Sequence, residues 1–486
     1  MEFFTRFFMI LLKIISKILQ PIYWHLNREQ PPDLPPLKNP LFFLSATELA
    51  KKIRNREISS EAVVEAFIER IKAVNPQLNA VIENRFEAAI RDARACDKKL
   101  EAGEVSISTL EVEQPLYGIP FTVKEACGLK GKIKKLIKEK IACLRRGRVN
   151  IRSHPVSKVA MFPVFLCDVG AIIGAGASLI GIGSDIAGSI RVPALFNGIF
   201  GHKPSPGIIP IKGHFPLSTS PTFQKYLVLG PMTRYAEDLI LAMKIMTKNC
   251  KENLRLDEPV DFRNLNVYHI EEFTRSIGDQ PVTGDIKNSI KKASQFFQKR
   301  GATVGQAKFD NLDIIFEIVI SMFFCMDDMP KILLNPSDPK HEVNPWAEIA
   351  KALFGLSNYT KNTIMMKLLQ DTNGFVPDSK TRYYAKKNEE LKIAMENMLG
   401  TSGVLLVPSF TSPAIVHNKS FLNFTAASYC LIFNIFGFPS TQVPMGLNSE
   451  GLPIGFQVVA NRNQDRLCLA VAKELERGFG GWVPPS

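Results

Sequence analysis

Two short strips of the sequence hold the residue types that amide or ester chemistry requires. The first is Gly181 to Ala194, GIGSDIAGSIRVPA, in which glycine and serine surround a single aspartate. That composition is poor strand and poor helix material, so a tight, exposed turn is predicted. Such a turn can present a serine hydroxyl while aiming successive backbone N–H groups at one point, as a nucleophile beside an oxyanion hole requires. Ser189, which follows Ala187-Gly188, is the expected nucleophile. The backbone N–H groups of Ile186, Ala187, Gly188 and Ser189 are the expected donors. Asp185 and Arg191 are assigned to holding the loop, not to proton transfer. A plain Gly/Ser loop would have the same composition; the second strip separates the two readings.

That strip is TVKEA, where Lys124 ends an apolar run. Lysines are rarely buried unless they are paired or functional. To serve as a base Lys124 must be neutral, which asks its pKa to fall from about 10.4 toward about 7 at a cost of roughly 4–5 kcal/mol. A packed, apolar strand end can impose that shift. The seven histidines offer no rival base, since none lies close to Ser189 in the sequence and no His-x-x-x-His pair occurs. No metal is expected. A dinucleotide site on GAIIGAGASLIG fails, because Gly174 and Gly176 are followed by leucine at position 179 where a third glycine is needed.

The elements that must position these residues can be read from caps and periodicity. Ser45 and Glu48 have capping-box spacing ahead of Leu49 and Ile53. A second helix is expected after Ser60, carrying Val64, Phe67, Ile71 and Val74 and stopping at Asn75-Pro76, and a third from Arg85 to Leu100. Leu116 to Ala126 is predicted as a short buried strand and Ala171 to Gly183 as a small-residue helix packed on a sheet. A helix over Arg234 to Met246 and a strand over Val404 to Pro408 follow. Thr441–Pro444 and Ile454–Ala460 pair across Asn448 to Gly451. Trp346 to Leu369 has helical period and reads as core, with a membrane-facing element as the other reading. Strands alternating with helices predict an α/β core with helices on both faces.

Composition removes several classes. With 45% hydrophobic and 22% charged residues in 486, the chain is neither a disordered tail nor a polytopic membrane protein. The eight cysteines form no Cys-x-x-Cys pair, so neither a disulfide scaffold nor a zinc ribbon is expected. The net charge of +13 invites a nucleic-acid reading, but Lys130 to Arg152 alone holds ten basic residues and one acid. A nucleic-acid face would draw on several converging elements with aromatic or polar readers, so nucleic acid is not an expected partner. The amino terminus is different: Phe7 to Trp24 is strongly apolar, and Arg6, Lys13, Lys17 and Gln20 fall on one stripe. That fits a helix lying in the membrane interface, with a spanning mode left open. Residues 1–30 are thus expected to anchor the chain and the proline-rich 31–43 to space it from the body.

GIPFTVKEA, GIGSDIAGSIRVPALFNGIFGHKPSPG, LVLGPMTRYAEDL and GFPSTQVPMGLNSEGLPIGFQVVA together resemble the amidase signature enzymes, in particular their fatty-acid amide hydrolase branch, invertebrate members included. The resemblance runs from about Leu44 to the carboxyl end, so 44–486 is expected to be one amidase-signature domain. It implies an α/β fold with a mixed central β-sheet sandwiched by helices and a Ser-Ser-Lys triad. It also implies hydrolysis of fatty-acid primary amides and N-acylethanolamines, with no cofactor. The partners implied are a lipid amide substrate, a membrane (an intracellular membrane or a lipid droplet surface) and, as an option, a second copy of the chain.

The resemblance has a hole. The family's middle serine should stand about two dozen residues before Ser189, which lands on Phe165-Leu166. Residues 131–169, including the basic run, do not resemble the family and are shorter than the segment they replace, as a frame slip with a lost exon would produce. Ser178 and Ser184 lie nearby, but neither matches the relay position. Activity is therefore expected to be impaired, by about 10²–10⁴-fold or more if a water replaces the serine. The alternative is a catalytically inactive, amidase-like protein that binds lipid or partners.

Overall fold

The computed structural model describes Phe7, Ile10, Leu11, Ile14, Ile18 and Pro21, and residues 33–127, 168–216, 218–274, 280–335, 341–354, 356–359, 361–415 and 420–485. In chain order the helices and strands are α1 (Ala46–Arg54), α2 (Ser60–Leu78), α3 (Phe86–Glu101), α4 (Ile107–Glu113), β1 (Phe121–Val123), α5 (Asp168–Gly174), β2 (Ile180–Asp185) and α6 (Arg191–Phe196). There follow β3 (Phe200–Lys203), α7 (Pro221–Tyr226), β4 (Val228–Thr233), α8 (Ala236–Met246), β5 (Asn266–His269), α9 (Gly284–Gln298), β6 (Thr303–Gln306) and α10 (Ile315–Phe324). The last third holds α11 (Pro345–Leu353), α12 (Lys361–Asp371), α13 (Asp378–Leu399), β7 (Gly403–Val407), α14 (Ser428–Phe436), β8 (Ser440–Leu447), β9 (Pro453–Ala460) and α15 (Asp465–Phe479).

The strands form one sheet in the order β1-β2-β4-β3-β8-β9-β7-β5-β6. Its two ends are parallel, β1 with β2 and β7-β5-β6 together, while every pairing between them is antiparallel. This is the mixed, helix-covered sheet expected from the sequence. The larger apolar cluster lies where α9, α10, α14 and α15 cover β5, β7, β8 and β9. A second cluster joins α1 and α2 to β2 and α8 through Leu49, Ile53, Phe67, Ile180 and Ala242.

Local signals explain the helix starts. Ser45 and Glu48 close the expected capping box, and Ser59 caps α2 through the N–H of Ala62. The second helix does not stop at Asn75-Pro76 but reaches Leu78. Pro76 sits in the last turn, where a missing N–H removes one bond, and Asn79 ends the helix in the left-handed conformation.

Four further expectations are corrected. Leu116 to Ala126 is not a buried strand: only Phe121–Val123 pairs, it pairs on one side with β2, and Phe121 is exposed. Ala171 to Gly183 is not one helix, because α5 ends at Gly174 and β2 begins at Ile180. The Gly/Ser strip is a strand up to Asp185, and the turn is confined to 186–190. The turn is not exposed either, since Gly188 and Ile190 are buried. Finally, residues 33–43 do not stand off as a spacer. Leu34 and Phe42 are buried, and Arg70 donates to the carbonyls of Pro35 and Pro36.

Trp346 to Leu369 divides into α11 and α12. Ile364 and Leu368 are buried as core, while Trp346, Phe354 and Leu356 are 62%, 79% and 69% exposed. Near the amino terminus Phe7, Ile10, Leu11, Ile14 and Ile18 are helical, share one face by their spacing and are exposed. Arg6, Lys13, Lys17 and Gln20 lie outside the described residues. Among the described residues no helix is long and apolar enough to cross a membrane.

Candidate active site

The parallel register of β1 and β2 brings the two chemical strips together. Thr122 stands opposite Gly181 and Val123 opposite Ile182, and the Lys124 N–H extends the ladder to the Ile182 carbonyl at 2.8 Å. Lys124 therefore leaves the carboxyl end of β1 where β2 runs on into the Ser189 turn, the end at which α/β sheets place their sites. Its Nζ donates to the Ser184 carbonyl at 3.2 Å. The side chain is half-buried, not enclosed in a packed strand end as expected.

The turn is fixed by a buried ionic network. Asp185 accepts from the Gly188 N–H at 2.8 Å and the Ile190 N–H at 3.1 Å. Arg191 reaches the same carboxylate through Nε at 3.1 Å and Nη2 at 3.0 Å, and both side chains are fully buried. Burial pushes the Asp185 carboxyl up, but the Arg191 guanidinium beside it wins and holds it well below the usual carboxylate range. The network continues outward. Arg191 Nη1 donates to Gln457 Oε1 at 2.9 Å and to the Cys430 carbonyl at 3.1 Å, and Asn434 Nδ2 donates to Asp185 Oδ1 at 3.0 Å. Gln457 Nε2 in turn donates to the carbonyls of Tyr429 at 2.7 Å and Pro408 at 2.9 Å. One turn is thus tied to α14, β9 and the end of β7.

Gly188 is required by both conformation and space. Its φ is +110°, and a Cβ there would lie 2.8 Å from Cys430 Cβ. Its N–H is committed to Asp185, so the four expected oxyanion donors narrow to three. The N–H groups of Ile186, Ala187 and Ser189, and the Ser189 hydroxyl, have no hydrogen-bond partner among the described residues. Ser189 is half-buried and opens directly onto α6.

Neither nearby serine takes the relay place. The Ser178 hydroxyl is engaged with Thr122 Oγ1 at 3.0 Å and the Ile180 carbonyl at 3.1 Å, while Ser184 meets Lys124 through its carbonyl. Phe165 and Leu166 lie outside the described residues. Among those residues no group of His, Cys, Asp and Glu could hold a metal.

Sequence reasoning missed Asn434, Gln457 and Lys203. A signal was present, since Asn434 and Gln457 are single polar residues inside the apolar runs YCLIFNIFGF and IGFQVVA. Lys203 ends β3 and is fully buried, with Nζ donating to the Pro204 carbonyl at 3.3 Å. Burial, with Arg191 adding, brings its amine down to about 7 against the opposing pull of Asp185 and Asp465. Burial also pushes the Cys430 thiol up to about 12, which removes it as a nucleophile.

The lysine and the serine turn thus meet at the carboxyl ends of adjacent parallel strands, in a mixed sheet covered by helices. The sequence profile described as Amidase matches residues 62–133 and 169–469, and the chain belongs to the amidase signature family. It is 36% identical to "Fatty-acid amide hydrolase 2-B" of Danio rerio over 98% of this chain and 97% of that one. To "Fatty-acid amide hydrolase 2" of Homo sapiens it is likewise 36% identical, over 93% and 92%. Among solved structures, one titled "Fatty acid amide hydrolase" superposes with a TM-score of 0.67 at 21% identity, covering 91% of this chain and 87% of that one. At that identity the likeness speaks for the fold. The profile leaves out residues 134–168, between the two strips.

Proposed function

We propose that the chain is a membrane-associated serine amide hydrolase acting on fatty-acid primary amides and N-acylethanolamines, with Ser189 as nucleophile and Lys124 as base, and with reduced turnover. The observation that carries this reading is the hydrogen bond from Lys124 Nζ to the Ser184 carbonyl, which keeps a lysine at the root of the serine turn. In the first step the Ser189 oxygen attacks the amide carbon and its proton passes toward Lys124. The oxyanion then collapses, the C–N bond breaks, and the amine leaves with that proton. Water next hydrolyses the acyl-serine. The unengaged N–H groups of Ile186, Ala187 and Ser189 are the donors for the oxyanion. Asp185 and Arg191 hold the turn.

The lipid substrate class rests on the two relatives named fatty-acid amide hydrolase 2. Membrane association is supported by the exposed apolar face Phe7, Ile10, Leu11, Ile14, Ile18. Reduced turnover follows from Phe165-Leu166, where the family's relay serine is expected.

The test is covalent labelling of the full chain, purified in detergent, by a fluorophosphonate probe with Ser189→Ala alongside. Labelling confined to the parent, followed by release of ammonia from oleamide, is the expected result. A well-folded parent that takes no label removes the hydrolase reading and leaves an amidase-like lipid- or partner-binding protein. That second reading is favoured by the absence of serine at 165 and 166. Flotation with lipid vesicles, lost on deleting residues 1–30, tests the anchor. Transcript sequencing across 131–169 tests the frame slip, and identical codons in every clone remove it.

A further inference from the structure

Residues 33–44 lead into α1, and 33–38, with prolines at 35 and 36, form neither helix nor strand. A proline-rich, extended run makes no internal hydrogen bonds, so its carbonyls need partners from elsewhere. One clasp comes from α2. Gln77 Nε2 donates to the Asp33 carbonyl at 3.4 Å, and Arg70 Nη1 donates to those of Pro35 and Pro36. The other comes from the residues after β4. Arg234 donates to the carbonyls of Phe42 and Leu44, and the Tyr235 hydroxyl donates to that of Phe43 at 2.7 Å.

Both clasps also hold the carboxyl end of α5. The same Arg70 guanidinium donates through Nε and Nη2 to the Ala175 carbonyl at 3.0 and 2.9 Å. Trp482, whose ring lies 4.8 Å from the Arg234 guanidinium, donates from Nε1 to the Gly174 carbonyl at 3.1 Å. Between the clasps, Leu34 is buried with Ile172, Ala175 and Ala177. Leu37 covers Gly176, where a Cβ would stand 2.8 Å from Leu37 Cδ2. It also packs against the cluster of Val169, Ile173, Trp482 and Ile190, the residue that follows Ser189. On its inner face α5 is seated on β2, since a Cβ on Gly181 would stand 2.2 Å from Val169 Cγ1 and 2.7 Å from Ile173 Cδ1.

We propose that residues 33–44 are a positioning strap for the Ser189 turn: clasped at both ends, they press α5 onto β2 and keep the cluster around Ile190 in register. Close-packed interiors transmit displacement, so loosening the strap frees α5 and, with it, Ile190, whose N–H is bonded to Asp185. The effect on rate rests on Ser189 being the nucleophile proposed above. The strap acts whether or not residues 1–30 are bound to a membrane, because its clasps begin at Asp33.

The experiment compares hydrogen–deuterium exchange over 178–191 with the rate of fluorophosphonate labelling, on the full chain in detergent. Leu37→Ala should speed exchange over 178–191, leave β5, β7 and α9 at the parent's values, and slow labelling by about tenfold. Leu37→Met, which restores the contact, should return both readouts to the parent's. If the alanine variant does not fold, Tyr235→Phe removes the bond to the Phe43 carbonyl alone and should shift both readouts in the same direction by less. Unchanged exchange over 178–191, or an equal rise through β5, β7 and α9, overturns the proposal. A chain lacking residues 1–30 should match the parent, and one as loose as Leu37→Ala would place the brace upstream and overturn it too. If no form takes label, the hydrolase reading falls and the exchange pattern alone decides the strap.

Discussion

The turn that carries Ser189 and the strand that carries Lys124 are neighbours in one ladder, yet they are held by different physics. The turn is buried at Gly188 and Ile190 and half-buried at Ser189, and each polar arm of Asp185 and Arg191 meets a partner from another element. β1 is three residues at the sheet's edge, exposed at Phe121 and half-buried beyond it, with the Lys124 N–H in the ladder and its Nζ on the Ser184 carbonyl. Beyond β1 the chain enters the segment that the family profile leaves out. The Ser189 side is thus fixed by a buried network, whereas the Lys124 side is a short edge strand. Damage on the first side should appear as lost stability, and damage on the second as lost rate.

The largest expected effect on stability comes from Arg191→Ala. It leaves Asp185 ionised, fully buried and without its cation, which costs about 3–5 kcal/mol. Urea denaturation should show that loss, together with loss of fluorophosphonate labelling. A change below about 1 kcal/mol would mean that the turn is not held as described.

Lys203→Met should act in the opposite direction. The buried amine sits near 7 in the fold and near 10.5 when unfolded, so between those values the unfolded chain holds a proton that the folded chain lacks. Stability therefore rises with pH across that window and is lowest at its acid end. Removing the amine should stabilise the protein near neutral pH by up to about 4 kcal/mol, with the advantage fading toward pH 10 or so. Denaturation midpoints at the two ends of the window check this, and an equal gap at both breaks it.

The same division explains what could be read in advance. The part of Asp185 and Arg191 in holding the turn was legible, because they are the one acid and the one base of the Gly/Ser strip. The alternation of helices and strands gave the layered sheet. The strand–turn boundary was not legible, because Gly181 and Gly183 look like turn residues. In the fold Gly181 is needed for the close approach of Val169 and Ile173, a tertiary reason that composition does not carry. Asn434 and Gln457 come from positions more than two hundred residues away, and their role is a property of packing. Lys124 was found by type, but its half-exposed edge position follows from β1 having a partner on one side alone.

Gly188→Ala is a smaller perturbation of the turn. The left-handed φ of +110° and the 2.8 Å approach to Cys430 Cβ should cost about 1–3 kcal/mol. Because Ser189 follows at once, labelling should fall while the folded baseline survives. If labelling is unchanged, the turn is more plastic than its hydrogen bonds imply.

The smallest effect on stability, and the sharpest test of the contrast, is Lys124→Ala. The variant gives up the Nζ bond to the Ser184 carbonyl from a half-buried position, a bond worth about 1 kcal/mol. Its backbone N–H still pairs with Ile182, so the β1–β2 ladder persists. The rate should behave differently, because general-base catalysis contributes about 10²–10⁴-fold. The comparison predicts a variant with a denaturation midpoint close to the parent's, unchanged vesicle flotation, and amide hydrolysis reduced by that factor. A variant that unfolds instead would show that Lys124 braces the sheet edge, and the two halves of the site would then differ in degree alone. A variant that folds and keeps full labelling would move the base elsewhere.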